Sequence, residues 1–183
     1  QYDVAYRLHV KNLSTSQTAF NVQVTDDLVA TFPSPILSQV RSISSAALAE
    51  NTAFTGRGSQ MQLLLGTDSM APSATATIDF VVRITLNGSQ QQAFDNSAVV
   101  TAAAVEGGRI STSDISNVGN ETRIDPNGNG IPTEEGENIP TRVTLAGGPD
   151  LQMVKTATGD FTVGTTGRFT LTVRNTGVTA TSG

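Results

Sequence analysis

The sequence predicts an all-β protein, an antiparallel β-sandwich, and three observations predict it. Apolar side chains recur at every second position over several long runs, which is the period of a half-buried strand. Clusters of Gly, Asn, Asp and Ser separate these runs at short spacing, and no run of convincing helical period lies between them. A stretch near the start also returns near the end. Tyr6-Arg7-Leu8-His9-Val10-Lys11-Asn12 superposes without a gap on Phe169-Thr170-Leu171-Thr172-Val173-Arg174-Asn175, an offset of 169 − 6 = 163 residues. Strands of this length and spacing point to a sandwich of immunoglobulin-like type. The return of one strand points to a repeated unit, so that the chain is expected to hold one repeat and the opening of the next.

The elements follow in order. Tyr2, Val4, Tyr6, Leu8 and Val10 are predicted to face inward, with Asp3, Arg7, His9 and Lys11 outward. After a turn at Asn12-Leu13-Ser14-Thr15-Ser16, Phe20, Val22 and Val24 mark a second strand that stops at Thr25-Asp26-Asp27-Leu28. Pro33 and Pro35 break pairing. Residues 36–49 read as strand, through Ile36, Val40 and Ile43, in preference to a short helical turn at 45–50. Met61, Leu63 and Leu65 suggest another strand between Gly-rich turns. The clearest alternation runs from Ala74 to Leu86, with Ala76, Ile78, Phe80, Val82, Ile84 and Leu86 on one face. It ends at Asn87-Gly88, a strong hairpin signal, so its partner is expected over Phe94–Val105. Residues 106–140 are dominated by Gly, Asn, Asp, Glu, Ser and Pro and read as an acidic connector. Strand pattern returns at Thr141–Leu145, at Asp150–Lys155 and at Arg168–Arg174, the opening strands of the following repeat. The expected division is therefore 1–105 sandwich, 106–140 connector and 141–183 next repeat. The first strand of the sandwich is expected to precede Gln1, and 141–183 to be able to donate a strand to a neighbour.

Composition narrows the function. Of 183 residues 37% are apolar but only 5% aromatic, with no Trp, so Val, Ile, Leu and Ala must build the core. Charged residues are 15%, against about 25% in typical soluble domains. Thr, Ser, Gly, Asn and Gln take their place, the balance expected of an extracellular β protein. A net charge of −5 leaves no basic patch for phosphates and argues against nucleic acid. The absence of Cys rules out disulfides and thiolate metal sites. No apolar run approaches the roughly 20 residues of a membrane helix.

With these residues read, a resemblance can be named. Pro149-Asp150-Leu151-Gln152-Met153-Val154-Lys155-Thr156, Val163-Gly164 and Phe169–Gly177 resemble the opening of a DUF11 domain, an Ig-like repeat of large bacterial and archaeal surface proteins. Tyr6 to Leu28 resembles the same opening carried into Val22-Gln23-Val24-Thr25-Asp26-Asp27-Leu28, and Asn96-Ser97-Ala98-Val99-Val100 resembles the closing strand. Residues 125–141 resemble the acidic connector between such repeats, whereas residues 30–75 match no part of the family. The resemblance implies surface or filament architecture and not catalysis.

Two constellations could carry chemistry. Asp125, Asn127 and Asn129 place oxygen side chains at alternate positions before Gly130, the first half of an EF-hand-type calcium loop, with the Ile131 carbonyl next. Position twelve is Gly136, so the closing acid would be Glu135 or Glu137, and the plainer alternative is a solvated turn with an acidic tail. The second constellation rests on the resemblance, since DUF11 repeats resemble isopeptide-forming Ig folds. It implies Lys155 as amine, Asn96 as carboxamide and Asp26 as buried acid. Such a bond needs an amine made neutral by burial and an acid that can shuttle its proton. The alternative is an exposed Lys155 and a turn residue at Asn96. Three Asn-x-Ser/Thr triplets, at Asn12, Asn87 and Asn120, fit chance in so polar a chain. His9 stands alone, so no triad or zinc site can be assembled. The acids at 134–137 sit in too irregular a stretch for a paired-carboxylate glycosidase site. The reading is a structural repeat of an extracellular surface protein or filament, assembling with copies of itself by strand addition, with calcium as the one candidate cofactor. The alternative is an adhesin module binding through loops at one end of the sandwich.

Overall fold

A computed structural model describes residues 1–89, 93–119, 138–145, 151–158 and 168–175. The chain forms two compact units, 1–144 and 145–183.

The first unit is built on two three-stranded antiparallel sheets. β1 (Tyr2–Lys11), β4 (Thr75–Thr85) and β3 (Leu37–Ser45) form one, in the order β1-β4-β3. β2 (Phe20–Asp26), β6 (Ala98–Ala103) and β7 (Ile110–Ile115) form the other, in the order β2-β6-β7. A short ribbon pairs β5 (Ala93–Asn96) with β8 (Thr141–Thr144). One turn of helix, α1 (Leu28–Thr31), follows β2. Its cap is Asp27, whose carboxylate accepts from the amides of Val29 and Ala30.

Period-2 alternation places the core. On β4, Ala76, Ile78, Phe80, Val82 and Ile84 are all buried. Opposite them on β1, Tyr6 pairs with Phe80 and stacks on its ring at 5.0 Å. Phe54 meets Phe80 edge-on at 5.7 Å, and Phe32 tilts against Phe94 at 5.1 Å. The second sheet contributes Val22, Val24, Ala98 and Ala102. On the outer face of the first sheet, Arg7 pairs with Asp79 at 2.7 Å and Arg83 with Asp3 at 2.6 Å, both across β1 and β4.

Four expectations are corrected. Asn87 and Gly88 do form a turn, with φ of 48° and 83° and the Ser89 amide donating to the Leu86 carbonyl. β4 nevertheless pairs with β1 and β3, not with the strand after the turn. Leu63 and Leu64 are adjacent and both buried, so no alternating strand runs through Met61–Leu65. The segment is held by single bridges, Thr25 to Gln62 and Glu50 to Leu64. The stretch read as a connector from 106 contains β7, laddered on β6 from Val99↔Ile115 to Ala103↔Ile110. Thr141–Thr144 pairs with β5 and so belongs to the first unit, which ends at Thr144.

The second unit holds an antiparallel hairpin of β9 (Leu151–Thr158) and β10 (Arg168–Asn175), with Lys155 opposite Leu171 and Met153 opposite Val173. Leu151, Met153, Val154, Phe169, Leu171 and Val173 are each half or more exposed. Among the described residues no helix is long and apolar enough to cross a membrane.

Candidate functional site

β2 turns Val22, Val24 and Asp26 inward in succession. The third of these puts a carboxylate where the pattern calls for an apolar side chain, and Asp26 is 1% exposed. β5 turns Phe94 and Asn96 inward in the same way. The two elements bring Asn96 Nδ2 to Asp26 Oδ2, a hydrogen bond of 2.8 Å in the buried interior. From the far side of α1, the Thr31 hydroxyl donates to Asn96 Oδ1 at 2.5 Å. The Asn96 carboxamide is therefore gripped at both ends, its nitrogen by an acid and its oxygen by a hydroxyl.

The site is incomplete on one side. Asp26 Oδ1 and the Tyr6 hydroxyl are both buried without a hydrogen-bond partner among the described residues. A buried polar atom left unpaired costs about 1–3 kcal/mol, more for a charged group, so two at one site call for an explanation. Burial pushes the Asp26 carboxyl up to about 6. The Asn96 hydrogen bond opposes that rise and the charge of Asp27 adds to it. Burial also raises the Tyr6 hydroxyl, and the Asp26 charge raises it further, which places the two groups in one electrostatic environment.

Beside this site the sandwich is open. β1 is the outer strand of its sheet, and among the described residues no strand pairs with its other edge. A cleft of about 710 Å³ runs between β1 and the second sheet, lined by Leu8, Val10, Val22, Val24, Ala102 and Ser113 among others. It borders the edge of β1 that pairs with no strand among the described residues. The arrangement can accept an extended strand whose side chains enter between the sheets.

The structure thus brings Asp26 and Asn96 into contact. Lys155 lies on β9 in the second unit, exposed, with Nζ 4.3 Å over the Phe169 ring. The candidate calcium ligands Asp125, Asn127, Asn129, Ile131, Glu135 and Glu137 lie outside the described residues, as does Asn120. His9 is exposed on the outer face of β1. Asn12 spends its side-chain nitrogen on the carbonyls of Gln17, Met70 and Ala71, which ties the β1–β2 turn to the loop before β4. Tyr6 and Thr31 were not anticipated in the site. For Tyr6 the signal was present, a hydroxyl at an inward position of an alternating strand. For Thr31 there was none, because its approach depends on α1. Comparisons with protein-family models, with curated proteins and with solved structures find no match to this chain.

Proposed function

We propose that the chain is a structural module of an extracellular assembly, joined copy to copy by strand addition at β1. The observation that carries this reading is the unpaired edge of β1 beside the 710 Å³ cleft. Unpaired backbone N–H and C=O groups along an edge template another strand, and a cleft beside them receives its side chains.

Strand order supports the same reading. In an Ig-type sandwich, sheets A-B-E-D and C-F-G face each other. Taken as B, E and D, the strands β1, β4 and β3 have no A strand beside β1 among the described residues, while β2, β6 and β7 correspond to C, F and G. β10, the sequence match of β1, takes β9 as its neighbour, which is the pairing an A strand makes with B. Copies joined this way form a directional chain, the geometry of a stalk or filament, and the polar, sparsely charged surface suits an extracellular setting.

Light scattering on the size-excluded chain tests this. Multimers whose mass grows with concentration are expected, and Met153→Pro, which removes a backbone donor from the middle of β9, is expected to hold the chain at its monomer mass of 19.0 kDa. A wild-type chain that remains monomeric at every concentration refutes the proposal.

A further inference from the structure

We infer that a second copy fills the β1 cleft with its β9, exchanged from its own β10, in a register that sets Met153 opposite Val10 and carries Lys155 inward toward Asp114 of β7. The inference rests on the strand-addition reading above. It adds the occupant, the register and the charge that selects them.

The register follows from the internal repeat. β10 superposes on β1 with Phe169 on Tyr6, Leu171 on Leu8, Val173 on Val10 and Asn175 on Asn12. β9 pairs with β10 as Ala157↔Phe169, Lys155↔Leu171, Met153↔Val173 and Leu151↔Asn175. Carried onto β1, Ala157 falls opposite Tyr6, Lys155 opposite Leu8, Met153 opposite Val10 and Leu151 opposite Asn12. Residues opposite one another in an antiparallel ladder share a face. Leu8 and Val10 alternate onto the inner face of β1 and line the cleft, so Lys155 and Met153 enter it. Side-chain size follows the same course. Along β1 the cleft is lined from Arg7 to Ser14, and Tyr6 lies beyond its end. Ala157, the smallest of the four side chains, falls at that end, while Met153 and Leu151 fall along the open part.

The facing sheet supplies the charge. Ala98, Val100 and Ala102 alternate onto the inner face of β6. β7 sets Asp114 opposite Val100 and Thr112 opposite Ala102, so Asp114 shares that face. Asp114 is half-buried, its Oδ1 accepts from the Ile115 amide at 2.8 Å, and it is the one carboxylate among the described residues that line the cleft. Asp26, opposite Ala98 on the neighbouring inward rung, adds a second acid to the same face. Of the four inward side chains of β9, one is a cation. Facing sheets stand about 10 Å apart, a gap that a lysine from one and an aspartate from the other close between them. A slip of one residue would put Gln152, Val154 and Thr156 in the cleft, and no cation.

The donor strand gains by the exchange. A two-stranded ribbon alone is marginal in water, and in the β9–β10 hairpin Leu151 is 62% and Met153 67% exposed. β1 gives β9 the same ladder that β10 does, with a second sheet facing it, so this is a strand swap between identical chains. Lys155, whose Nζ lies 4.3 Å over the Phe169 ring, trades that ring for a carboxylate.

The chain has no Cys, so introduced pairs read the register directly. Val10→Cys and Met153→Cys chains, mixed and oxidised with copper phenanthroline, are expected to give a disulfide-linked dimer of one chain of each kind on non-reducing gels. Val10→Cys mixed with Ala157→Cys, four residues out of register, is expected to give no more dimer than either chain alone. Lys155→Glu sets like charges together and is expected to lose the native multimers seen by light scattering. Adding Asp114→Lys to it is expected to restore them, with urea unfolding confirming that both variants fold. Wild-type multimers without the cross-link from position 10 to position 153 overturn the register and leave strand addition standing. Lys155→Glu multimers equal to those of the wild type, or a loss that Asp114→Lys does not restore, overturn the charge pairing. A disulfide that forms within single chains of the double variant Val10→Cys/Met153→Cys, and not between mixed chains, overturns the second copy as occupant. A wild type monomeric at every concentration overturns strand addition and this inference with it.

Discussion

Replacing Asp26 by Asn should change how stability depends on pH, by an amount the structure sets. Asp26 is 1% exposed, and burial raises its carboxyl from 3.8 to about 6. Because the folded state holds the proton more tightly than the unfolded state, the group stabilises the fold fully below about pH 4. That contribution is lost as pH rises through about 6. The gap between 3.8 and about 6 amounts to about 3 kcal/mol in all, of which about 2.5 kcal/mol is lost between pH 4 and pH 7.5. In Asp26→Asn that loss disappears, while the carbonyl of the new side chain can still accept from Asn96 Nδ2. The carboxyls of Asp3, Asp79 and Asp95 are held down by Arg83, Arg7 and Arg142, each chiefly through its hydrogen bond. Their sign is opposite: they stabilise above the ordinary carboxylate value and lose that contribution as pH falls. Being common to both proteins, they cancel in the difference. Urea unfolding followed by tyrosine fluorescence reads the first unit directly, since both tyrosines, Tyr2 and Tyr6, lie on β1. Both proteins should carry Met153→Pro so that assembly does not contribute. The variant is expected to gain about 2.5 kcal/mol on the parent between pH 4 and pH 7.5. A difference that stays constant over that range would show that Asp26 ionises as an ordinary carboxylate and would refute the account of the site.

Two predictions concern the frame around the site. Phe80→Ala removes the ring that stacks on Tyr6 and meets Phe54, at a position 1% exposed, and is expected to cost about 3–5 kcal/mol by urea unfolding. Gly56→Ala adds a methyl that overlaps the Leu28 side chain, at a φ of 67°, and should cost about 2–4 kcal/mol. At Gly58, with φ 54° and open space around it, the same change should cost only about 1 kcal/mol. Equal losses at the two glycines would show that the contact with Leu28 carries no weight.

Much of the fold was legible because three strands each bury one face only. β1, β2 and β4 alternate cleanly, and the inward positions read from the sequence are the ones that face the core. β7 was not legible, since Ser111, Thr112 and Ser113 are exposed and only Ile115 retains apolar partial burial. An outer strand that buries little leaves no period to find. Pairing was also hidden: β1 meets β4 across more than sixty residues of sequence, as Lys11↔Thr75 shows, and a local hairpin signal at Asn87-Gly88 cannot report such a partner. Asp26 and Asn96 are named only as what the DUF11 resemblance implies, not from any local pattern of their strands. Their contact depends on α1 and on the crossing of β5, which no local pattern encodes.

The two edges of the first sheet differ in a way that favours β1, and not β3, as the receiving strand of the proposed assembly. β3 carries a bulge where the register slips between Val40 and Ser42, leaving Arg41 unmatched, and it follows Pro33 and Pro35. Bulges and prolines twist an edge away from pairing, and natural sheets use them to block it. β1 has neither. It pairs with β4 through ten consecutive residues, Tyr2↔Ile84 to Lys11↔Thr75, and turns its charges outward, where Arg7 is already matched by Asp79. The inward-facing charge beside it is the acidic Asp26. An apolar strand would bury that carboxylate unpaired, whereas β9 offers Leu151, Met153, Lys155 and Ala157 at alternate positions, one cation among apolar neighbours. Under the proposed strand addition, a strand with no inward cation at that level would leave the Asp26 carboxylate buried and unpaired, which makes it a costly partner.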